Sequence, residues 1–511
     1  MHRPPILPRV GWELLVIVGL LALGASLRLE AIGTRSLWQD EAFSLDLARR
    51  TFPGLLTFLK TNDAHPVGYY ALLSVWIRLV GEDLAWMRGL SLVFGLAAVV
   101  LTWRLGRAWF SPPIGVGAAG LVALNPFQIF ASNELRMYMP LECLALTSTW
   151  VLWRAWQEGR RPGWWVGYGL AAAGMAYLSY YAFLLIAAHA VWIVLQRPPR
   201  VVLGRAALAA AVAVVAYLPW LSYLGHPLAL VSGGLLQVRQ PLWATYLPEL
   251  LAAQTFGGYL FGGVTYHTTR GLGLSLYGLL LYPFLVLILI GAHGLGRLNR
   301  PARGLVAVSW LVPVAVVVAA SLGAGGVAAY AYHLNFLQPF LALLVAGGIA
   351  FLRDEVAAAS PTLVGLVAVV GVLAVTGPAI NNLLGDPTYL SYRYDRAARL
   401  VRAVYQPGDV VVYLPEGVQR GFTFYFKPVG KTLGIRVDAS TRTREALQPR
   451  ISDVARALNR DDLRVWLVYS SPLPAGTLED LVAAIQAAGY RQAIFHDFGG
   501  VHVGLLVRPL R

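Results

Sequence analysis

Cysteine is nearly missing: Cys143 is the single one in 511 residues, and it sits inside an apolar run. That excludes an internal disulfide and any cysteine-based metal site. Charge is scarce too. Asp, Glu, Lys and Arg make up only 13% of the chain, against 57% hydrophobic residues. A water-soluble chain of this length does not need so much apolar surface, so the composition describes a polytopic membrane protein. The sequence contains no His-Glu-x-x-His and no pair of carboxylates at a recognisable metal spacing. Internal repeats and low-complexity tracts are absent as well.

The charge that is present is lopsided. Lys and Arg number 41 and Asp and Glu 26, a net +15. Such a balance would raise nucleic acid as a partner. Most of the excess, however, lies in short loops between apolar runs, where membrane orientation alone explains it, so no nucleic-acid partner is expected. Spanning needs about 20 apolar residues. The runs that satisfy or approach this are 10–31, 85–106, 113–131, 138–157, 164–179, 182–196, 202–223, 271–295, 304–324, 331–352 and 361–380, about eleven spans. The first follows Arg3 and Arg9, has no convincing small-residue cleavage site, and reads as an uncleaved span rather than a signal peptide. The stretch 164–196 divides at Ser179-Tyr180-Tyr181. Residues 66–81, interrupted by Arg78, read as an interfacial or re-entrant helix.

Placing the N-terminus in the cytoplasm puts Arg104 and Arg107, then Arg154, Arg160 and Arg161, then Arg197, Arg200 and Arg205, then Arg297, Arg300 and Arg303, and finally Arg353 on the inside. The opposite loops are poorer in net positive charge. Residues 32–65 mix Asp40, Glu41, Asp46 and Asp63 with Arg35, Arg49, Arg50 and Lys60, and 325–330 carry no charge. An odd number of spans leaves the C-terminal region on the same outer side. The expected organisation is a membrane module over 1–384, with outer loops 32–84 and 224–270, followed by a soluble extracytoplasmic domain over 385–511.

In that last part, Arg396–Tyr405, Ile451–Leu458 and Leu478–Ala488 read as helices. Asp409–Leu414, Gly421–Phe426, Arg464–Tyr469, Arg491–His496 and His502–Val507 read as strands. Alternation of this kind indicates a small α/β domain. It carries no Gly-rich phosphate loop and no catalytic cluster, so it is taken as accessory.

The chemistry-bearing residues gather just beyond the first span. Ser36-Leu37-Trp38-Gln39-Asp40-Glu41-Ala42-Phe43-Ser44 sets two adjacent carboxylates between aromatic rings, with Ser36 as a helix N-cap. Adjacent helical positions point about 100° apart, so the two acids have different jobs. Carboxylates at an interface can simply be solvated; one held against apolar walls is a candidate general base. Asp63-Ala64-His65-Pro66 follows, with Pro66 suited to a first helical turn and Asp63 to its cap. Arg136, in Asn133-Glu134-Leu135-Arg136-Met137-Tyr138, is either a snorkelling anchor or a grip on phosphate. Tyr138 is an interface aromatic or a partner of that grip. His333, at the outer start of the tenth span beside Tyr330 and Tyr332, either reaches the same cavity or is an ordinary interfacial residue, and the second reading is the commoner one. His226, Arg239, His267 and Arg270 lie in the long loop 224–270 and are candidates for reading an acceptor or a lipid headgroup. A divalent ion at Asp40 and Glu41 is compatible with these residues but nothing specifies it.

Taken together, the Ser-Leu-Trp-Gln-Asp-Glu-Ala stretch at 36–42, His65-Pro66 with Tyr69-Tyr70, the Asn125-Pro126 turn and Arg136-Met137-Tyr138 resemble the GT-C membrane glycosyltransferases. The nearest group by these motifs is the bacterial family 39-like set, similar to protein O-mannosyltransferases and lipid A aminoarabinose transferases. The resemblance covers the order of spans and implies a polyprenyl-phosphate-linked sugar as donor, used on the outer face of the bacterial cytoplasmic membrane without a nucleotide. It further implies that Asp40 deprotonates an acceptor hydroxyl with Glu41 assisting, and that Arg136, Tyr138 and His65 hold the lipid phosphate. The family commonly has His-Pro-Pro, where Val67 stands here. An Arg-Tyr pair commonly precedes the tenth span, where this chain has Tyr332-His333, so His333 is the candidate substitute.

Two other classes are compatible with the same composition. A transporter or flippase of lipid-linked glycans should place ionisable groups near the midplane and show repeated halves; here the acids lie outside the first span. A non-catalytic cell-envelope assembly protein would use its C-terminal domain to bind a partner.

Overall fold

The structure, a computed structural model, describes residues 11–33, 35–63, 65–159, 161–225, 250–251, 254–255, 272–324, 331–356, 360–385, 392–437, 443–458, 462–470 and 473–509. The helices of the first three-quarters are α1 (Trp12–Ile32), α2 (Gln39–Ala48), α3 (Phe52–Asn62), α4 (Gly68–Val80), α5 (Leu84–Trp109), α6 (Pro112–Leu124), α7 (Pro126–Ala131) and α8 (Tyr138–Gln157). They continue with α9 (Pro162–Leu178), α10 (Ala182–Leu195), α11 (Arg200–Leu221), α12 (Leu272–Leu298) and α13 (Arg300–Ala324). A 3-10 segment, Ala331–Leu337, leads into α14 (Gln338–Val356), which is followed by α15 (Pro361–Gly385). The remainder alternates: α16 (Tyr394–Val404), β1 (Val410–Leu414), α17 (Val418–Tyr425), β2 (Thr432–Gly434), α18 (Arg444–Ala457), β3 (Arg464–Ser470), α19 (Thr477–Ala487), β4 (Arg491–Asp497) and β5 (Val501–Val507).

Among the described residues, 6 helices are long and apolar enough to cross a membrane: Trp12–Glu30, Leu84–Trp109, Arg200–Leu221, Arg300–Leu322, Tyr332–Glu355 and Thr362–Gly385. The described residues of the other runs read as spans, at 113–131, 138–157, 164–179, 182–196 and 271–295, are also mostly helical. The run 113–131 is broken at Asn125, whose carboxamide oxygen accepts from the backbone N–H groups of Phe127 and Gln128 and so starts α7 with Pro126 in its first turn. The division of 164–196 falls at Ser179–Tyr181, as the sequence suggests.

The chain forms two compact units, Met1–Ile32 with Thr51–Asp386, and Gly33–Arg50 with Pro387–Arg511. The helical unit packs by close backbone approach. At the α12–α14 crossing, a Cβ on Gly291 would stand 1.8 Å from the Leu344 carbonyl oxygen, and one on Gly348 would stand 2.2 Å from that of Leu287. At the α5–α6 crossing a Cβ on Gly106 would lie 2.7 Å from Gly115 Cα. In a lipid-facing bundle hydrophobicity does not drive helices together, so contact at small residues has to.

The second unit is a five-stranded mixed sheet in the order β2-β1-β3-β5-β4, with β2, β1 and β3 parallel and β3, β5 and β4 antiparallel. One face packs Val410, Val412, Leu467 and Leu506 under α18 and α19 through Ile451, Val454, Leu481 and Ile485. The other packs Val411, Tyr413, Trp466 and Val503 under α16 and α17 through Tyr394, Val401, Val418 and Phe422. Burial on both sides explains why β1 reads as an uninterrupted apolar run.

Several sequence readings are revised here. Gly421–Phe426, expected as a strand, belongs to the helix α17: Val418, Gly421 and Phe422 recur at helical spacing and bury together, and that packing overrides the aromatic strand-like run. Residues Gly33–Arg50, read as part of an outer loop of the membrane module, group with the C-terminal residues. The reason is local. The Tyr425 hydroxyl accepts the Leu37 N–H at 2.7 Å, Ser36 Oγ accepts the Asp395 N–H at 3.3 Å, and Arg420 lies over the Phe43 ring and 3.6 Å from Asp46.

The crossing geometry makes a prediction. Gly348→Leu should destabilise the purified protein by about 3 kcal/mol or more, because no rotamer clears a backbone oxygen. Gly371→Ala, whose Cβ would meet nothing within 4 Å, should leave thermal unfolding in detergent unchanged or slightly raised.

Candidate active site

The residues singled out in the sequence fall into two groups, one in each unit. In the second unit, α2 starts after Trp38, not at Ser36. Ser36 is spent on Asp395, while the Glu41 carboxylate reaches back to accept the Trp38 N–H at 3.2 Å. This is the return half of a capping box. Glu41 is fully buried and holds the helix start; Asp40, one position earlier, is half-buried. The two adjacent acids therefore stand in different surroundings, as their 100° separation demands. Burial, and then the charge of Asp40, raise the Tyr392 phenol above its ordinary range, so Asp40 acts within electrostatic reach of that ring. The Asp40 carbonyl accepts from Ser44 Oγ at 2.9 Å, which ties off its backbone.

In the helical unit a polar chain runs through three segments. Asp63 ends α3, and its carboxylate accepts from the Tyr70 hydroxyl at 2.8 Å and from His65 Nδ1 at 2.9 Å. His65 Nε2 in turn faces Arg136 Nη2 at 3.2 Å. A guanidinium only donates, so in this arrangement Nε2 accepts and the proton of the imidazole is on Nδ1, pointing at Asp63. Asp63 is buried, which opposes its ionisation. The His65 ring, the Tyr70 hydroxyl and the Arg136 charge together outweigh that and hold its carboxyl below the usual carboxylate range. The expected cap role of Asp63 is not what it does. Helix α4 starts at Gly68 with Val67 before it, so Pro66 lies outside the helix, and Asp63 orients His65 and Tyr70.

Aromatic rings close in on the same region. Tyr138, at the start of α8, meets Tyr332 with ring centroids 5.7 Å apart. Tyr332 meets His333 edge-on at 4.5 Å, and His333 stacks nearly parallel on Tyr181 at 4.6 Å and 16°. His333 lies within electrostatic reach of His65 and Arg136. Five of the residues singled out in the sequence, Asp63, His65, Arg136, Tyr138 and His333, thus come together in one unit. Tyr70, Tyr181 and Tyr332 complete the cluster. Tyr181 is legible in the sequence only as part of the break between two apolar runs; nothing in its spacing announces a stacking partner as distant in the chain as His333.

Other expectations have no structural answer. His226, Arg239, His267 and Arg270 lie outside the described residues. Among the described residues, no group of three or more His, Cys, Asp and Glu side chains is placed to hold a metal ion.

Comparison with known proteins bears on the fold and the family. Residues 64–223 match the family model described as dolichyl-phosphate-mannose-protein mannosyltransferase. No curated protein matches in sequence. Among solved structures, ArnT from Cupriavidus metallidurans superposes with a TM-score of 0.58 at 14% identity, covering 97% of this chain and 98% of that one. Its form bound to undecaprenyl phosphate gives 0.59 at 13% with the same coverage. The archaeal oligosaccharyltransferase AglB from Archaeoglobus fulgidus, in complex with an inhibitory peptide and a dolichol-phosphate, gives 0.52 at 13%, covering 97% of this chain and 74% of that one. The fold is that of the GT-C membrane glycosyltransferases, and the resemblance to that superfamily and to its protein mannosyltransferases read from the motifs is borne out.

The Asp63 environment sets a pH expectation. A depressed carboxyl contributes stability above its unfolded value, about 3.9, and loses it as pH falls through the lower folded value. Asp63 should therefore be ionised at pH 5, and the infrared difference spectrum between wild type and Asp63→Asn should show a carboxylate band and no protonated C=O band there.

Proposed function

We propose that this protein transfers a sugar from a polyprenyl-phosphate-linked donor to an acceptor hydroxyl on the outer face of the bacterial cytoplasmic membrane, with inversion at the anomeric carbon. The single observation that supports this most is the Asp63–His65–Arg136 chain beside Tyr138 and His333, on a fold shared with a protein solved with undecaprenyl phosphate. Breaking a glycosyl–phosphate bond leaves the electron pair on a phosphate oxygen and positive character on the sugar ring. A guanidinium held by an imidazole that a buried carboxylate orients stabilises the departing phosphate without reorganising at the moment of reaction.

In this reading Arg136 grips the phosphate, with Tyr138, His65 and His333 around it and Asp63 orienting His65. Asp40 is the general base. It takes the acceptor O–H proton as the new C–O bond forms on the face opposite the leaving phosphate. Glu41 assists by holding the start of the helix that carries Asp40. A lone base with no covalent nucleophile gives inversion. The positive loop residues argue for a multi-pass arrangement of about eleven spans with the N-terminus inside, which puts the acids and the C-terminal α/β domain outside the cytoplasm. The acceptor-side role of His267 and Arg270 belongs to the same reading, as does a transferred sugar of the hexose or pentose class.

Asp40→Asn should lower kcat about 10²–10⁴-fold while leaving the donor KM within about threefold. Arg136→Gln should lower kcat/KM for the donor and weaken retention of undecaprenyl phosphate. The product's anomeric proton coupling should report the configuration opposite to the donor's. An Asp40→Asn variant with wild-type kcat would remove Asp40 as the base, and a retained configuration would remove the single-displacement mechanism.

A further inference from the structure

Glu142 is fully buried in α8, and no step of the proposed reaction uses it. One of its carboxylate oxygens, Oε2, accepts from Gln128 Nε2 at 2.8 Å and from Asn335 Nδ2 at 2.9 Å. The three residues come from three segments. Gln128 lies in α7, which leads directly into the stretch carrying Arg136. Glu142 lies one turn beyond Tyr138 in α8. Asn335 lies two residues beyond His333 in the 3-10 segment. A single oxygen therefore ties together the pieces of chain that present Arg136, Tyr138 and His333.

The surroundings reinforce the tie. Gln128 Nε2 also approaches Gln338 Oε1 at 3.4 Å. Ser132 Oγ donates to the Gln128 carbonyl at 2.7 Å and accepts from Arg28 Nε at 3.0 Å. A 3-10 segment has poorer internal hydrogen bonds than an α-helix, so its orientation depends on what its side chains and carbonyls meet. Here Asn335 bonds to Glu142, and the Leu334 carbonyl accepts from Gln254 Nε2 at 3.1 Å. In an apolar bundle two amide N–H groups left without an acceptor are costly, so the segments have a strong reason to stay in register.

We propose that Glu142 is a positioning residue: by accepting from Gln128 and Asn335 together it sets His333 and Tyr332 against Arg136 and Tyr138 at the spacing that grips a lipid phosphate. This rests on the phosphate-binding reading of Arg136 given above. Binding is lost when the shared acceptor is lost, not when its charge is.

The test uses the full-length protein in nanodiscs, with undecaprenyl phosphate and undecaprenol as probes. Glu142→Gln keeps an oxygen able to accept both N–H groups and should bind undecaprenyl phosphate within about twofold of wild type, because neither buried donor is left unsatisfied. Glu142→Leu and Asn335→Ala should each weaken it about tenfold or more, and the double variant should be no worse than the weaker single one, because both remove one coupling. The preference for the phosphate over the alcohol should collapse in step, which a purely structural defect would not produce. Glu142→Leu or Asn335→Ala with wild-type phosphate preference would overturn the proposal, as would Glu142→Gln failing as badly as Glu142→Leu. If Arg136→Gln leaves the preference intact, the phosphate reading itself fails, whatever the Glu142 variants do. Should Glu142→Leu not fold, Asn335→Ala carries the test alone.

Discussion

Much of the helical unit's chemistry depends on a carboxylate, Asp63, that is buried yet kept ionised. It holds the imidazole of His65 by Nδ1, and the other face of that ring takes an N–H from Arg136. A free arginine near a bilayer would snorkel to water, and its long side chain would sample many rotamers. One leaned on by an oriented histidine, whose own orientation comes from a carboxylate, presents its remaining donors in a fixed direction. The arrangement has the same logic as a metal-ligand histidine and the carboxylate behind it: the second partner decides where the first one points. The Tyr70 hydroxyl on the second Asp63 oxygen completes it and anchors the start of α4 to the end of α3.

The second unit solves a different problem. Its helix α2 carries two acids in succession, one buried as a cap and one half-buried. Because the helix rests on α17 and on the 392–395 stretch, its position is determined by a folded α/β domain and not by a loop. An acid on such a support has a defined direction, and the bonds that Glu41, Ser44 and Ser36 make to the backbone around it narrow the alternatives. The C-terminal domain is therefore more than an appendage: part of its packing is with the acidic stretch just after the first span.

What could be read in advance followed from period and composition. Apolar runs located nearly every helix of the first unit, because a span must bury or expose a continuous apolar surface and this leaves a direct mark in the sequence. Short apolar or alternating runs between helical stretches located four of the five strands. The short β2 has too few residues to register, and Gly421–Phe426 reads as a strand in sequence because its aromatic residues bury at helical spacing against a sheet face that only the assembled domain supplies. Ser36 and Asp63 were each assigned as caps by rules about neighbours in the chain. Both instead bond to partners those rules could not consider, Asp395 at 359 positions for Ser36 and a nearby imidazole and phenol for Asp63.

Membrane class, the helical runs, the α/β character of the C-terminal part and the identity of the acids, histidines and arginine in the site were all decided by the sequence itself. Each is a matter of local composition, spacing or side-chain chemistry. The tertiary structure alone decided which of them meet. It set His333 face to face with Tyr181, bound Gln128 and Asn335 to one oxygen of Glu142, and put the Asp40 helix with the C-terminal domain. Such pairings join residues up to several hundred positions apart, and they form because buried polar groups must find partners wherever the packed chain brings them.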